Sequence, residues 1–238
     1  MSFFVVLNPN DKIRKDIHTM NEKRAYTVKQ ITGIGVFSAL AFITTLICKL
    51  IPNVAGFLSI DAKDAIIAIA SFVYGPIAAP VISLIVALIE FITISETGFW
   101  GLIMNFSSSA VFSLTASSIY RYRKTFNGAV FGFAAATVLT TAVMITLNPF
   151  IIPLYSGVSR EVVVAMIPKL LLPFNFAKTL MNSAVSMLLY KPIINAMRAA
   201  HLVKGSEHKT SFNKTSAITV AVGTGALIAA VVILAIIW

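Results

Sequence analysis

The chain has 238 residues, 58% of them hydrophobic and 12% charged, with a mean hydropathy of +0.88. Soluble domains are about 45–50% apolar and about 25% charged, so the composition excludes an ordinary soluble fold and indicates an all-α polytopic membrane protein. The net charge of +10 sits in the connections between apolar runs, which is the mark of membrane topology and not of nucleic-acid binding.

Residues 1–29 are polar apart from Phe3 to Leu7 and carry six cations, so they are expected as a cytoplasmic N-terminal segment. The stretch Phe3 to Leu7 is too short for a signal peptide and precedes the charges. Met20-Asn21-Glu22-Lys23-Arg24 reads as an alternative start, on which residues 1–19 are expected to be a dispensable extension or a misassigned start. The first apolar run, Ile31–Ile51, carries Gly35 and Ala39 as a small-xxx-small pair that admits close approach of another helix, within the chain or beyond it. A loop with Asp61, Lys63 and Asp64 follows. Ala65–Tyr74 is apolar but short for a crossing and ends at a Gly75-Pro76 break.

The third run, Ile77–Ile94, is interrupted by Pro80 and by Glu90. An ionisable group at membrane depth is a functional candidate by default. The alternative for Glu90 is a packing ion pair, with Lys178 as the obvious partner. After a polar turn and an interfacial Trp100, the run Gly101–Tyr120 carries Asn105 and many hydroxyls, most of which are expected to bond back to the backbone. Arg121, Arg123 and Lys124 form a basic turn. Gly128, Gly132, Ala136 and Thr140 recur every four residues in the fifth run, Gly128–Leu154, as a stripe for close helix contact. Asn148-Pro149 and Pro153 predict a broken helix end there, with carbonyls freed toward protein or a cavity.

Tyr155–Lys169 reads as a loop with an amphipathic middle, able to act as a lid. In the sixth run, Leu170–Met197, the spacing of Asn175, Lys178 and Asn182 puts two amides and an ammonium on one helix face. Inserting Lys178 costs about 2.5–3.5 kcal/mol on the translocon scale, which points to a use for the charge as a ligand site, although snorkelling to a headgroup also accommodates it. Residues 198–214 read as a cytoplasmic linker and 215–238 as a clean seventh run closed by Trp238.

With the N-terminus inside, the inner segments hold fourteen cations and the outer ones four, which supports seven crossings with the C-terminus outside. That topology gathers Asn148, Asn175 and Lys178 at the outer end. It predicts a polar pocket open to the exterior, with Phe57, Phe91, Phe150, Phe174 and Phe176 available to stack on a ligand. Cys48 is the only cysteine, and His18, His201 and His208 show no metal-ligand spacing, so neither a disulfide within the chain nor a metal site is expected. No phosphate-binding glycine loop or serine-nucleophile elbow is present, so any ATP hydrolysis must come from another subunit.

Several pieces together resemble the substrate-binding (S) components of energy-coupling factor (ECF) transporters, most closely the riboflavin type. They are Phe57-Leu58-Ser59-Ile60-Asp61-Ala62-Lys63-Asp64, Gly75-Pro76, Asn105-Phe106, Asn148 ahead of Pro153-Leu154-Tyr155, Pro173-Phe174-Asn175-Phe176-Ala177-Lys178, and Leu189-Tyr190-Lys191. The resemblance implies a six-helix membrane domain over 30–197 with 215–238 as an extra C-terminal transmembrane helix. It implies a bacterial plasma-membrane protein that captures a vitamin outside. The vitamin is cargo, with no cofactor, and the partners are a membrane scaffold subunit and two ATPase subunits. It assigns Gly35 and Ala39 to the scaffold interface and Asn148, Asn175 and Lys178 to riboflavin contact. Asp61 and Asn105, which lie in the matching pieces, and Glu90 complete the candidate substrate-binding set. Riboflavin members carry Lys-Asn late in the third helix, where this chain reverses the charge with Glu90-Phe91. Another small vitamin or precursor, pyrimidine- or pyridoxine-like, is the alternative within the class, with Glu90 meeting a cationic group. A membrane enzyme using Glu90 and Lys178 as acid and base, or a structural subunit without ligand, are the alternatives outside it.

Overall fold

The computed structural model describes residues 27–123, 125–202 and 214–237. The helices are α1 (Val28–Cys48), α2 (Lys63–Tyr74), α3 (Ala78–Thr93), α4 (Gly98–Tyr122), α5 (Phe126–Ser156), α6 (Arg160–Met166), α7 (Leu172–Ala199) and α8 (Lys214–Ile237). Five spans are long and apolar enough to cross a membrane: α1, α4, α5, the α6–α7 unit and α8. The chain is an all-α membrane bundle. Most of the N-terminal segment, the alternative start at Met20, Lys124, most of the 198–214 linker and Trp238 lie outside the described residues.

The short α2 is the centre of the bundle. Ala65, Ile67, Ala68, Ile69, Ala70 and Ser71 are all fully buried. Ile67 and Ile69 pack with Phe37 of α1, Ile82 and Val86 of α3, and Ile194 and Met197 of α7. Ala68 faces Phe112 of α4 and Phe133 of α5. A helix enclosed on every side by protein has no hydrocarbon thickness to match, so the usual length of about 20 residues does not apply to it. It ends at Gly75, whose φ of 98° suits glycine and turns the chain into Pro76 and α3.

Lipid offers no hydrophobic drive for helices to associate, so contact depends on close packing of small residues. The stripe Gly128, Gly132, Ala136 and Thr140 is buried. A Cβ on Gly132 would lie 2.8 Å from the Ala116 carbonyl oxygen of α4. Gly35 and Ala39 instead lie on the exposed face of α1, and none of the described residues occupies the space beside Gly35. The extra helix α8 lies against α7, where a Cβ on Gly223 would lie 3.0 Å from Leu188 Cγ. Its Leu234 joins a cluster with Val54 and Leu58 of the α1–α2 connection, Val163 of α6 and Phe174 of α7.

Two expectations are corrected. The helix is not broken at Asn148-Pro149: α5 continues through Pro149 and Pro153 to Ser156 and closes at Gly157, φ 72°. Each proline removes one backbone bond, but Pro149 is buried against protein, where neighbouring elements support the helix. The segment 155–169 is not a loop. Ser159 stands at the N-cap position of α6, and a five-residue π-helical stretch, Ile167–Leu171, carries the chain directly into α7. Val163 is fully buried while Val162 and Val164 are about half exposed, so the amphipathic middle is a one-sided helix.

The close α4–α5 approach predicts that Gly132→Val destabilises the protein by about 1–3 kcal/mol, the usual cost of overpacking. Gly35→Ala, facing open space, leaves stability unchanged. Thermal unfolding in detergent measures both.

Candidate functional site

Helices that alternate in direction bring the C-terminal ends of α1, α3 and α5 together with the N-terminal ends of α2, α4 and α7. A cavity of about 360 Å³ opens among these ends, within the roughly 300–1,000 Å³ range of small-molecule sites. Asp61, Glu90, Asn105, Asn175 and Lys178 all line it. Asn148 is not part of that lining. It lies one turn beyond Met144, which is, and it is buried with its Nδ2 unpartnered among the described residues. Of the five phenylalanines expected to stack, Phe57 and Phe174 line the cavity, joined by Tyr155. Phe91, Phe150 and Phe176 point away and are 39%, 54% and 38% exposed.

Four charges alternate along one wall. Lys178 Nζ donates to Asp61 Oδ2 at 2.7 Å. Lys63 Nζ lies 4.0 Å from the same Oδ2. Lys63 donates to both oxygens of Glu90, at 2.8 and 2.7 Å. Asp61, Lys63 and Glu90 are each at most 4% exposed. Charges this deeply buried persist only when paired and hydrogen-bonded. Glu90 is fully supplied: Oε1 also accepts from Thr45 Oγ1 at 3.0 Å, and Oε2 from Asn105 Nδ2 at 2.9 Å. Burial opposes ionisation of Asp61, which lies in the α1–α2 connection. Lys178 and Lys63 outweigh that effect and hold its carboxyl below the usual carboxylate range.

Glu90 therefore does not pair with Lys178, the partner considered for it from sequence. Lys63 takes that place because α2 begins at Lys63 and not after it, which turns a loop cation into a buried helix residue. Asn182, on the polar face of α7, is a strut between helices. Its Nδ2 donates to the Asp61 carbonyl at 2.9 Å, and its Oδ1 accepts from the Ala65 backbone N–H at 2.9 Å. This gives an N–H of the first turn of α2 a closer partner than the Ala62 carbonyl, which it reaches at 3.3 Å. Ser109, one of the hydroxyls of α4, does not bond back to its own backbone but donates to the buried Asp64 carboxylate. Asn175 Nδ2 bonds the Leu171 carbonyl at 2.7 Å, at the close of the π-helical stretch.

Lys63 and Thr45 line the cavity, and sequence reasoning selected neither as a candidate. The signal available for Lys63 was the acid-rich cluster Asp61, Lys63, Asp64 abutting an apolar run too short to span.

The family model for the ECF transporter, substrate-specific component, matches residues 29–194. The chain is 30% identical over 188 residues to the riboflavin transporter RibU of Staphylococcus aureus (strain TCH60), covering 75% of this chain and 99% of that protein. It is 25% identical over 187 residues to the riboflavin transporter FmnP of Bacillus subtilis (strain 168), covering 74% of this chain and 98% of that protein. A solved structure of the S component of a bacterial ECF transporter aligns with a TM-score of 0.61 at 30% identity, over 71% of this chain and 98% of that one. The family match ends before α8 begins.

The charge chain predicts that Lys63→Met, which strands Glu90, costs about 3–5 kcal/mol of stability, whereas Lys63→Met/Glu90→Met, which removes the whole pair, recovers most of that loss. Unfolding of the single and double variants in detergent measures the difference.

Proposed function

This chain belongs to the ECF transporter substrate-specific component family, and from that premise we propose that it captures riboflavin or a closely related flavin for ATP-driven uptake. The observation that carries the reading is the convergence of five sequence-selected polar residues on one cavity, in a chain 30% identical to a riboflavin transporter over nearly that protein's whole length. The family is a transporter's substrate-binding component and not an enzyme. In keeping with that, Lys178 and Glu90 are each committed to another partner and form no acid–base pair. The flavin is cargo and not a cofactor.

Asn175 and Lys178 supply the polar edge toward the ligand, with Asp61, Glu90 and Asn105 in the same lining and Asn148 one turn beyond it. Phe57, Phe174 and Tyr155 supply apolar faces for a ring system. Glu90 gives no independent argument for a cationic vitamin, because both of its oxygens are already taken by Lys63, Thr45 and Asn105. The cavity end faces the exterior of a cell membrane, with the N-terminus cytoplasmic and the C-terminus outside. Fourteen cations on the inner segments against four on the outer support that orientation. Gly35 and Ala39, small and exposed on α1, form the contact with a membrane scaffold subunit, and two ATPase subunits supply the hydrolysis.

Purified protein is expected to bind riboflavin without ATP, close to one per chain. Lys178→Ala weakens that binding by about tenfold or more, the size of a lost hydrogen bond to a charged group. Lys191→Ala, at the opposite end of α7, leaves it near wild type. Flavin fluorescence titration reads both, and equal losses place the site elsewhere.

A further inference from the structure

Among the buried charges of the wall, Asp61 alone keeps an atom to spare. Its Oδ2 is held by Lys178, while Oδ1 has no hydrogen-bond partner among the described residues; the Lys63 backbone N–H faces the carboxylate without closing a bond to that oxygen. The residue lines the cavity and is 4% exposed, and Oδ1 itself is buried. A buried carboxylate oxygen without a donor is costly, and such an atom in a binding cavity is relieved when a ligand supplies the donor. Glu90 offers no such atom. Its four acceptor directions are filled from α1, α2 and α4, which fixes Glu90 and through it the Lys63 ammonium. Lys63 in turn lies between Glu90 and Asp61.

We propose that the Lys63–Glu90 pair is a buried strut that holds Asp61 at the cavity wall, where its unpartnered Oδ1 accepts a hydrogen bond from an O–H or N–H of the entering ligand. The proposal rests on the cavity being the substrate site. Asp61 then contacts ligand directly, whereas Lys63 and Glu90 are positioning residues that act through it. The reversed charge at position 90 accordingly changes how the wall is held and not what the ligand meets.

The test uses the full chain in detergent, stripped of ligand and titrated with riboflavin and with lumiflavin, which has the flavin ring but lacks the hydroxylated side chain. Asp61→Asn is expected to weaken riboflavin binding by about tenfold or more. A smaller loss with lumiflavin assigns the donor to the side-chain hydroxyls, and an equal loss assigns it to the ring N–H. Unchanged affinity for both overturns the proposal. Lys63→Met/Glu90→Met keeps the wall neutral and folded, and it should lose affinity to a similar degree. Adding Asp61→Asn to it should then cost nothing more, because residues acting through one group are not additive. A full further loss overturns the strut. A ligand-free readout is the ¹³C carboxyl signal of Asp61, assigned by its absence in Asp61→Asn. It should move in Lys63→Met/Glu90→Met, and an unmoved signal overturns the strut whether or not flavin binds. Wild-type protein that binds neither flavin contradicts the flavin reading alone.

Discussion

The constraint on which the rest of the structure depends is the burial of four alternating charges, Lys178, Asp61, Lys63 and Glu90, at one end of an apolar bundle. None of them is tolerable there singly. Together they tie α7, the α1–α2 connection, α2 and α3 to one another, and Thr45 and Asn105 extend the network to α1 and α4. The polar end of the bundle is thus cross-linked by hydrogen bonds, while the opposite half is held by close apolar packing around α2. If the cavity is the ligand site as proposed, the wall a ligand meets is held in place before it arrives, which is what preorganisation requires.

The central α2 connects these two halves. Its first residue, Lys63, stands in the charged wall, Asp64 pairs with Ser109 of α4, and Asn182 of α7 accepts from its Ala65 N–H. Its remaining residues are enclosed by α1, α3, α4, α5 and α7. The helix α8 is an addition outside this plan. It packs on α7 through Gly223, and its far end reaches the cluster of Val54, Leu58 and Val163 beside the cavity, so it buttresses the site without lining it.

The fold is legible in the sequence where the bilayer dictates it. Long apolar runs locate α1, α4, α5, α7 and α8 to within a few residues, because a spanning helix must be long and continuously apolar. The polar face of α7 is legible for the same reason, since a lysine and two asparagines stand out against hydrocarbon. What is not legible depends on contacts distant in sequence. Lys178 finds Asp61 at a separation of 117 residues, and Lys63 finds Glu90 at 27. No local pattern distinguishes Lys63 from an ordinary loop cation. The helix through Pro149 and the helical α6 also escape local rules, because tertiary packing supports a proline that an isolated helix would not hold.

The most direct test of the cavity as the ligand site uses the chain's own single cysteine. Cys48 is free and lines the cavity beside Asp61 and Lys63. The rate at which a small maleimide alkylates Cys48 is measured with and without saturating riboflavin. The account predicts marked slowing by riboflavin, because the flavin occupies the space through which the reagent reaches the thiol. Riboflavin that binds stoichiometrically and leaves the Cys48 rate unchanged contradicts it and places the ligand elsewhere in the bundle.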